Sequence, residues 1–361
     1  MIVISQLPPP VHGSAMITRE FLNVLSRNGI SYQFIERRFS KKISEVEKLT
    51  LRKLIRYPIY LAHVCRVLAK NPEGKVVNFI STSRSGFLSD LAPCVLAILL
   101  NRRLILYVHT IGFKYLAESN LFIKKFVEFT LSNSEKIVVL SSKLSWDIEE
   151  FASRDKMIVI PNTVVNVDLH EAERMFQQRS KSDPTFLFLS NFVPSKGAED
   201  FIKAASLLFA EHKNCRFIMI GQATDDNHMT YIESLISEYG LEDIVSIVGP
   251  KFGIEKYKIM SECTALIYPS VRDAQPIAIL EAMALGVPTI SYDIGAISDL
   301  IVDGVTGYLV EIGNFQELAN KASCFLVDSD TSRFSKATRD FYLSKFSPQN
   351  FEENWVKALK I

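Results

Sequence analysis

Short runs of apolar, mostly β-branched residues alternate with longer amphipathic segments along nearly the whole chain. Strands buried on both faces of a parallel sheet read as continuous apolar runs, and helices connect such strands. The alternation therefore predicts an α/β protein with doubly wound sheets. Twelve runs fit this pattern, at residues 2–5, 32–35, 76–80, 104–108, 137–140, 157–160, 186–190, 216–220, 244–248, 265–268, 288–292 and 308–310.

The two halves of the chain open with the same pattern. Residues 2–5 lead into a Pro-rich loop, Gly13 and a predicted helix, and residues 186–190 lead into a loop ending at Gly197 and another predicted helix. Ligands bind at the carboxyl ends of the strands in such sheets. We therefore expect two Rossmann-like domains whose strand ends face each other across a cleft.

The length of the chain agrees with two domains, because 361 residues exceed what one hydrophobic core usually fills. We expect an N-terminal domain at residues 1–165 and a C-terminal domain at residues 185–346. The polar stretch 166–184 lies between the two sets of strands and is interpreted as a linker. A last predicted helix, residues 347–361, is assigned to the N-terminal domain.

Composition and charge exclude several classes of protein. The chain has 41 basic and 40 acidic residues, which argues against binding nucleic acid through bulk charge. Its five cysteines lack metal-ligand spacing and are expected to be reduced thiols. The longest apolar stretch, residues 87–100, is too short to cross a bilayer, and no signal peptide is apparent. We expect a cytoplasmic protein, associated at most peripherally with the inner face of the plasma membrane.

The helix predicted between Pro276 and Gly286 contains one polar residue, Glu281. A helix that is apolar all round is buried, and a buried carboxylate is costly unless it is hydrogen-bonded. Asp273 lies just before this helix. The first helical amides, those of Ile277, Ala278 and Ile279, would attract an anion such as a phosphate.

Two carboxylates and an anion site at one helix end would suit a sugar linked to a diphosphate. Glu281 and Asp273 could accept hydrogen bonds from sugar hydroxyls, while the helix amides bind the phosphates. An alternative stays open on these residues alone. In that alternative, Glu281 caps a neighbouring backbone and Asp273 is an ordinary loop residue.

The spacing Asp273-x7-Glu281, followed by Ala-Met-Ala-Leu-Gly-Val-Pro, resembles the E-x7-E motif of retaining GT-B glycosyltransferases of family four, the group 1 glycosyltransferases. Further segments resemble that family's first glycine loop, histidine strand, "PNGV" strand end, "EKG" phosphate loop and "DG..G.LV" segment, in the same order. They lie at residues 8–14, 107–109, 159–162, 193–197 and 295–310. Together these segments cover nearly the whole chain.

The resemblance implies a role for each matching residue. Glu281 would hold the ribose hydroxyls of the donor nucleotide, and Asp273 the hydroxyls of the transferred sugar. Lys196 would pair with the diphosphate and stabilise the charge on the leaving group. His109 would lie on the acceptor side, near the reacting carbon. Taken alone, such a lysine is more often a solvated surface charge and such a histidine a core residue.

The same resemblance implies further donor contacts. Gly13 would let the first loop approach the donor diphosphate or the acceptor, and Gly249 would leave backbone groups for the base. The amides of Ile277 and Ala278 would bind the diphosphate.

Several positions depart from the family's pattern. Asp273 stands where Glu is usual and is one methylene shorter. Asn191 stands where Arg is usual, which removes a bidentate phosphate contact that Arg272 could replace. Thr163, Ala296 and Asp299 also differ from the pattern. These departures leave open a catalytically impaired nucleotide-sugar-binding or scaffold protein of the same fold.

The resemblance implies a retaining hexosyltransferase that needs neither metal nor cofactor. The favoured donor is a UDP-sugar, and the acceptor is a hydroxyl of a glycan or polyprenyl-linked glycan in cell-surface polysaccharide synthesis. A dinucleotide-dependent oxidoreductase is excluded because no G-x-G-x-x-G follows a strand.

Two charged segments carry weaker hypotheses. Residues 37–56 are rich in Lys and Arg. They form either a solvated face or a surface that contacts anionic lipid headgroups or a lipid-diphosphate acceptor. Asp328 and Asp330 have the D-x-D spacing of metal–nucleotide sites but follow no strand, so they are predicted to lie in a loop.

Overall fold

The computed structural model describes residues 1–9, 13–37, 51–82, 84–165, 169–178, 183–223, 226–326 and 328–360. Within these ranges the chain forms two parallel six-stranded sheets with flanking helices, which confirms the predicted α/β class. All twelve predicted strands are present, and their ends lie within one residue of the expected positions.

The chain divides into two compact units. Unit 1 comprises Met1–Val165 and Phe351–Ile361, and unit 2 comprises Asn166–Asn350. The stretch 166–184, interpreted from the sequence as a linker, falls within unit 2 and includes a helix at Leu169–Gln177.

The sheet of unit 1 has the strand order β2-β1-β3-β4-β5-β6. The first strand lies inside the sheet, so the chain builds outward from it in both directions. The strands are β1 (Ile2–Ser5), β2 (Gln33–Glu36), β3 (Val76–Ile80), β4 (Leu104–Val108), β5 (Lys136–Val139) and β6 (Met157–Val159). The helices are α1 (Gly13–Arg27), α2 (Leu51–Lys70), α3 (Arg84–Leu99), α4 (Phe113–Glu118) and α5 (Leu121–Ser132).

Helix α3 covers most of the longest apolar stretch in the sequence and packs against β3. Its side chains Phe87, Leu91 and Cys94 belong to the hydrophobic core of unit 1. Across the residues that the structure describes, no helix combines the length and apolar character needed to cross a bilayer.

The sheet of unit 2 has the strand order β12-β11-β10-β7-β8-β9. Its strands are β7 (Thr185–Leu189), β8 (Arg216–Ile220), β9 (Val245–Gly249), β10 (Ala265–Tyr268), β11 (Thr289–Tyr292) and β12 (Gly307–Val310). Its helices are α6 (Leu169–Gln177), α7 (Ala198–Glu211), α8 (Asp226–Glu238), α9 (Gly253–Glu262), α10 (Ile277–Ala284), α11 (Ile297–Leu300), α12 (Phe315–Ser323) and α13 (Asp328–Lys345). The strand order reverses between β7 and β10, the position at which doubly wound sheets bind their ligands.

The last helix, α14 (Pro348–Leu359), packs on unit 1. The buried ring of Trp355 lies 4.3 Å from that of Phe21 in α1 and 4.9 Å from that of Tyr107 in β4, measured between ring centroids. Helix α14 thereby packs against aromatic side chains of α1 and β4.

The prediction that Asp328 and Asp330 lie in a loop is wrong, because both residues lie in the first turn of α13. Aspartate, serine and threonine favour helix N-termini, where they compensate unpaired amides and the helix dipole. The sequence Asp-Ser-Asp-Thr-Ser at 328–332 is therefore a helix start.

Candidate functional site

Two loops of unit 2 meet at the carboxyl edge of its central strands. Strands β7 and β10 pair in parallel, so the loops that follow them leave the sheet at the same edge. The loop after β7 carries Lys196 in a 3-10 turn, Pro194–Lys196, and the loop after β10 carries Asp273. Both motifs thus lie where the strand order reverses.

Gly197 allows these loops to approach closely. Its φ is +73°, and a Cβ atom there would lie 2.0 Å from the carbonyl oxygen of Pro269. The backbone NH of Val271 donates to the carbonyl of Ser195 at 3.0 Å, and the hydroxyl of Ser270 donates to the same carbonyl at 3.1 Å. The turn that presents Lys196 is therefore fixed against the end of β10.

The structure joins Lys196 and Asp273 in an ion pair. The Nζ of Lys196 donates to Oδ2 of Asp273 at 2.5 Å and to the carbonyl of Arg272 at 3.3 Å. The hydroxyl of Tyr268 donates to the same Oδ2 at 2.6 Å. Lys196 and Asp273 are therefore partly buried and paired with each other.

Tyr268 is a neutral donor to Asp273. Burial raises the pKa of Tyr268 well above its usual value, and the charge of Asp273 and their hydrogen bond raise it further. The phenol therefore keeps its proton at neutral pH and holds one oxygen of Asp273 in place. Tyr268 was not identified from the sequence, although it lies only five residues before Asp273.

Glu281 lies in α10 and is only 7% exposed. Its Oε1 and Oε2 accept hydrogen bonds from Nζ of Lys256 at 2.6 and 2.7 Å, and Tyr257 donates to Oε1 at 3.1 Å. Burial raises the pKa of Tyr257 above its usual value, and the charge of Glu281 raises it further. Within the described part of the chain, the carboxylate pairs with side chains of α9 rather than capping a backbone.

Lys256 and Tyr257 were not predicted from the sequence. The cost of burying an unpaired carboxylate indicates that Glu281 needs a cationic partner. No motif or spacing identifies that partner, because it comes from a separate helix whose packing on α10 is a tertiary contact.

The N-terminus of α10 has no local side-chain cap. Pro276 occupies the capping position, with extended backbone angles. By contrast, α12 is capped by Asn314, and the first amides of α4 are bound by the carboxylate of Asp147. The amides of Ile277 and Ala278 thus begin a helix whose capping residue has no side-chain acceptor.

The other residues predicted to bind the donor lie at or near the carboxyl edge of the same sheet. Asn191 follows β7 and is exposed, as is Arg272 beside Asp273. Gly249 ends β9 with φ at +70°, and no atom lies within 4 Å of where its Cβ would be. Arg272 contacts Lys196 through its carbonyl, so the structure does not itself place its guanidinium on an anion site.

The remaining predicted residues belong to unit 1. His109 directly follows β4, and its ring stacks on that of Phe79 with centroids 5.1 Å apart. Gly13 begins α1, while residues 10–12 of its loop lie outside the described residues.

Most of the basic segment predicted to contact lipid, residues 38–50, also lies outside the described residues. Arg37, at the start of the predicted segment, is buried and pairs with Asp90 at 2.8 Å. Arg37 therefore cannot contribute to a lipid-binding surface in this conformation.

Residues 170–341 match the family model described as "Glycosyl transferases group 1". A curated relative is N-acetyl-alpha-D-glucosaminyl L-malate synthase of Bacillus anthracis, 26% identical over 57% of this chain and 54% of its own. Another is poly(ribitol-phosphate) alpha-N-acetylglucosaminyltransferase of Staphylococcus aureus, 25% identical over 64% of this chain and 46% of its own. The matches therefore span about half the length of these relatives.

Solved structures share the fold along nearly the whole chain. Sucrose-phosphate synthase from Thermosynechococcus elongatus has a TM-score of 0.78 at 17% identity, covering 99% of this chain and 98% of its own. Anabaena HepE in complex with UDP has a TM-score of 0.72 at 16% identity, covering 99% of each chain. The fold is GT-B, and within unit 2 residues 170–341 are similar to the group 1 glycosyltransferase model. The retaining mechanism, membership of family four and the individual residue roles stay predictions.

Proposed function

We propose that this protein is a retaining glycosyltransferase that moves a hexosyl unit from a nucleotide diphosphate sugar, with a UDP-sugar as the favoured donor. The acceptor is a hydroxyl of a glycan or polyprenyl-linked glycan in cell-surface polysaccharide synthesis. The family match and relatives named as N-acetylglucosaminyl enzymes support this proposal. Structural neighbours bound to UDP and UDP-glucose support the choice of nucleotide.

The observation that carries the proposal is the pairing of Lys196 with Asp273 beside the start of α10, where Pro276 supplies no side-chain cap. The site combines a cation, a carboxylate and helix amides within two adjacent loops. The helix dipole would attract a diphosphate. The diphosphate would then replace Asp273 as the partner of the Lys196 ammonium. That ammonium would then stabilise the charge that develops on the departing diphosphate.

Asp273 suits the sugar that is transferred. The hydrogen bonds found for it among the described residues use Oδ2, through Lys196 and Tyr268. Its Oδ1 would accept hydroxyl hydrogens of the sugar. Asp273 is one methylene shorter than the usual glutamate, so its reach favours a sugar held closer to the loop.

Attack would occur on the face from which the nucleotide departs, so that the anomeric configuration is retained. The new bond forms between the acceptor oxygen and the anomeric carbon while the bond to the diphosphate breaks. The departing phosphate oxygen takes the proton of the acceptor hydroxyl. His109 of unit 1 would contribute on the acceptor side.

We place this reaction in the cytoplasm, peripherally at the inner face of the plasma membrane, where a polyprenyl-linked acceptor is available. It would proceed without metal or cofactor. A catalytically impaired nucleotide-sugar-binding protein is the second candidate, because Asn191 replaces the usual arginine. Arg272 contacts Lys196 through its carbonyl oxygen and not through its guanidinium.

A thermal-shift screen of UDP-, GDP-, ADP- and dTDP-sugars tests the donor. A ligand at 100 times its dissociation constant stabilises the folded protein by about 2.7 kcal/mol, which is a readily measured shift. We expect UDP-sugars to give the largest shift and Lys196→Ala to reduce it. Exposed Lys345→Ala on α13 is the matched control.

Turnover separates the two candidate functions. The enzyme should hydrolyse the selected UDP-sugar slowly or transfer its sugar to glycan acceptors, and Lys196→Ala should lower this rate about a hundredfold or more. Tight donor binding with no turnover on any acceptor or on water would favour the impaired binding protein. No shift with any nucleotide sugar would contradict both.

A further inference from the structure

Glu281 is held by a lysine that no motif identifies. Nζ of Lys256 lies 2.6 and 2.7 Å from the two carboxylate oxygens, so one ammonium contacts both. The side chains of Lys256 and Glu281 are 15% and 9% exposed, which leaves the pair mostly but not fully enclosed. Tyr257 adds a hydrogen bond to Oε1 from the same helix, α9.

Packing alone does not account for this pair. Replacing a buried ion pair by apolar residues of similar volume is often neutral or stabilising, so such a pair is weak evidence for a stabilising role. Helices α9 and α10 contact each other, and both carry buried apolar side chains, such as Met260 in α9 and Leu280 in α10. The pair therefore calls for a role other than joining the two helices.

The hydrogen-bonding capacity of the pair suits a diol. A carboxylate has about four acceptor positions on its two oxygens, of which Lys256 and Tyr257 use three. An ammonium has three donors, and two of them are directed at Glu281. The remaining capacity, one acceptor position and one ammonium donor, matches two neighbouring hydroxyls of which one donates to the carboxylate and the other accepts from the ammonium.

We propose that Lys256 is a positioning residue for the donor nucleotide, which orients the carboxylate of Glu281 for the two ribose hydroxyls. This inference rests on the proposed function and on the role that the family resemblance implies for Glu281, which is to bind the ribose hydroxyls. Without the ammonium, a carboxylate on an apolar helix would lose both its counter-charge and its fixed orientation. The ribose contribution to affinity would then disappear, while contacts to the diphosphate would remain.

Isothermal titration calorimetry with UDP and 2′,3′-dideoxyuridine diphosphate tests the inference. Lys256→Met should raise the Kd for UDP about tenfold, as expected for losing a charge-assisted bond, and leave the Kd for the dideoxy nucleotide within about twofold. Lys256→Arg, which keeps the charge, should restore most of the preference for the ribose. Lys258→Met is the matched control, because Lys258 is exposed on the same helix.

Other outcomes overturn the inference. An equal rise in the Kd of both nucleotides in Lys256→Met would indicate that the pair is purely structural. A lower Kd for UDP would indicate that Lys256 competes with the ribose hydroxyls for Glu281. If Lys256→Met does not fold, Lys256→Gln, which keeps hydrogen-bonding ability without charge, should show the same selective loss.

Glu281→Gln distinguishes the failure of this inference from the failure of the proposed function. If Glu281→Gln abolishes the preference for UDP over the dideoxy nucleotide and Lys256→Met does not, only the inference about Lys256 fails. If Glu281→Gln leaves that preference intact, the assignment of Glu281 to the ribose fails as well.

Discussion

Asp273 accepts two hydrogen bonds on one oxygen, from the ammonium of Lys196 and from the phenol of Tyr268. At the scale of single residues, the sequence identified both members of the ion pair, because they belong to local motifs at the ends of strands. It did not identify Tyr268, Tyr257 or Lys256. Their importance arises from contacts with Asp273 and Glu281, which depend on packing and not on spacing along the chain.

Tyr268→Phe tests how Asp273 is oriented. The substitution removes one hydrogen bond to a carboxylate, and bonds to charged groups contribute about 1.5–3 kcal/mol. Because Asp273 is assigned to the sugar, we expect the Kd for UDP-glucose to rise about tenfold while the Kd for UDP stays nearly constant. Calorimetric titration of both ligands measures this difference.

Tyr292→Phe is the matched control for that experiment. Tyr292 lies in the neighbouring strand, β11, and donates to a different carboxylate, Asp200, at 2.8 Å. We expect this variant to bind both ligands like the unmodified protein. Equal effects of the two substitutions on UDP-glucose would indicate a general loosening of the sheet and contradict a specific role for Tyr268.

At the scale of elements, the strands were predictable because buried parallel strands are continuous apolar runs bounded by turns. Helix α6 was missed, since its short sequence lies in a polar stretch that resembles a linker. It is held by tertiary contacts, in which Arg339 of α13 donates to Glu173 of α6 at 2.6 Å. Arg339 also donates to the carbonyl of Ala284 at the end of α10, so one buried guanidinium links three helices.

Gly197→Ala tests the close approach of the loops after β7 and β10. The new Cβ would lie 2.0 Å from the carbonyl oxygen of Pro269, and φ is +73°. We expect more than about 2 kcal/mol of lost stability and weaker UDP binding, because the turn that carries Lys196 must move. Chemical denaturation and calorimetry measure the two effects.

Gly240→Ala separates the cost of the backbone conformation from that of the clash. Gly240 has a φ of +63°, with no atom within 4 Å of its Cβ position. We expect the Gly240→Ala variant to lose about 1 kcal/mol of folding stability and to bind UDP with unchanged affinity. A Gly197→Ala variant that behaves no worse than Gly240→Ala would show that the close contact is unimportant.

At the scale of the whole molecule, the division into two units follows the two sets of strands, but the destination of the last helix depends on packing. Trp355 of α14 is fully buried and contacts Phe21 and Tyr107 of unit 1. Its burial joins residues from opposite ends of the chain. Ser347 as capping residue and Pro348 in the first turn predict that α14 is a helix, whereas the surface it covers is determined by the shape of the core.

Trp355→Ala should therefore destabilise unit 1 by about 3–5 kcal/mol, the usual cost of removing a buried aromatic side chain. We expect a lower unfolding temperature by calorimetry, with the Kd for UDP at unit 2 unchanged below that transition. Lys357→Ala, at an exposed position of the same helix, is the control. A loss of UDP affinity without a loss of stability would contradict this assignment of α14.

We propose that a nucleotide diphosphate sugar binds unit 2 at the start of α10, against Lys196, Asp273 and Glu281. A crystal structure of the protein soaked with UDP-glucose tests it most directly. We expect diphosphate density at the first amides of α10 and beside the ammonium of Lys196, with the ribose hydroxyls on Glu281. Donor density elsewhere on the protein, with the start of α10 unoccupied, would contradict it.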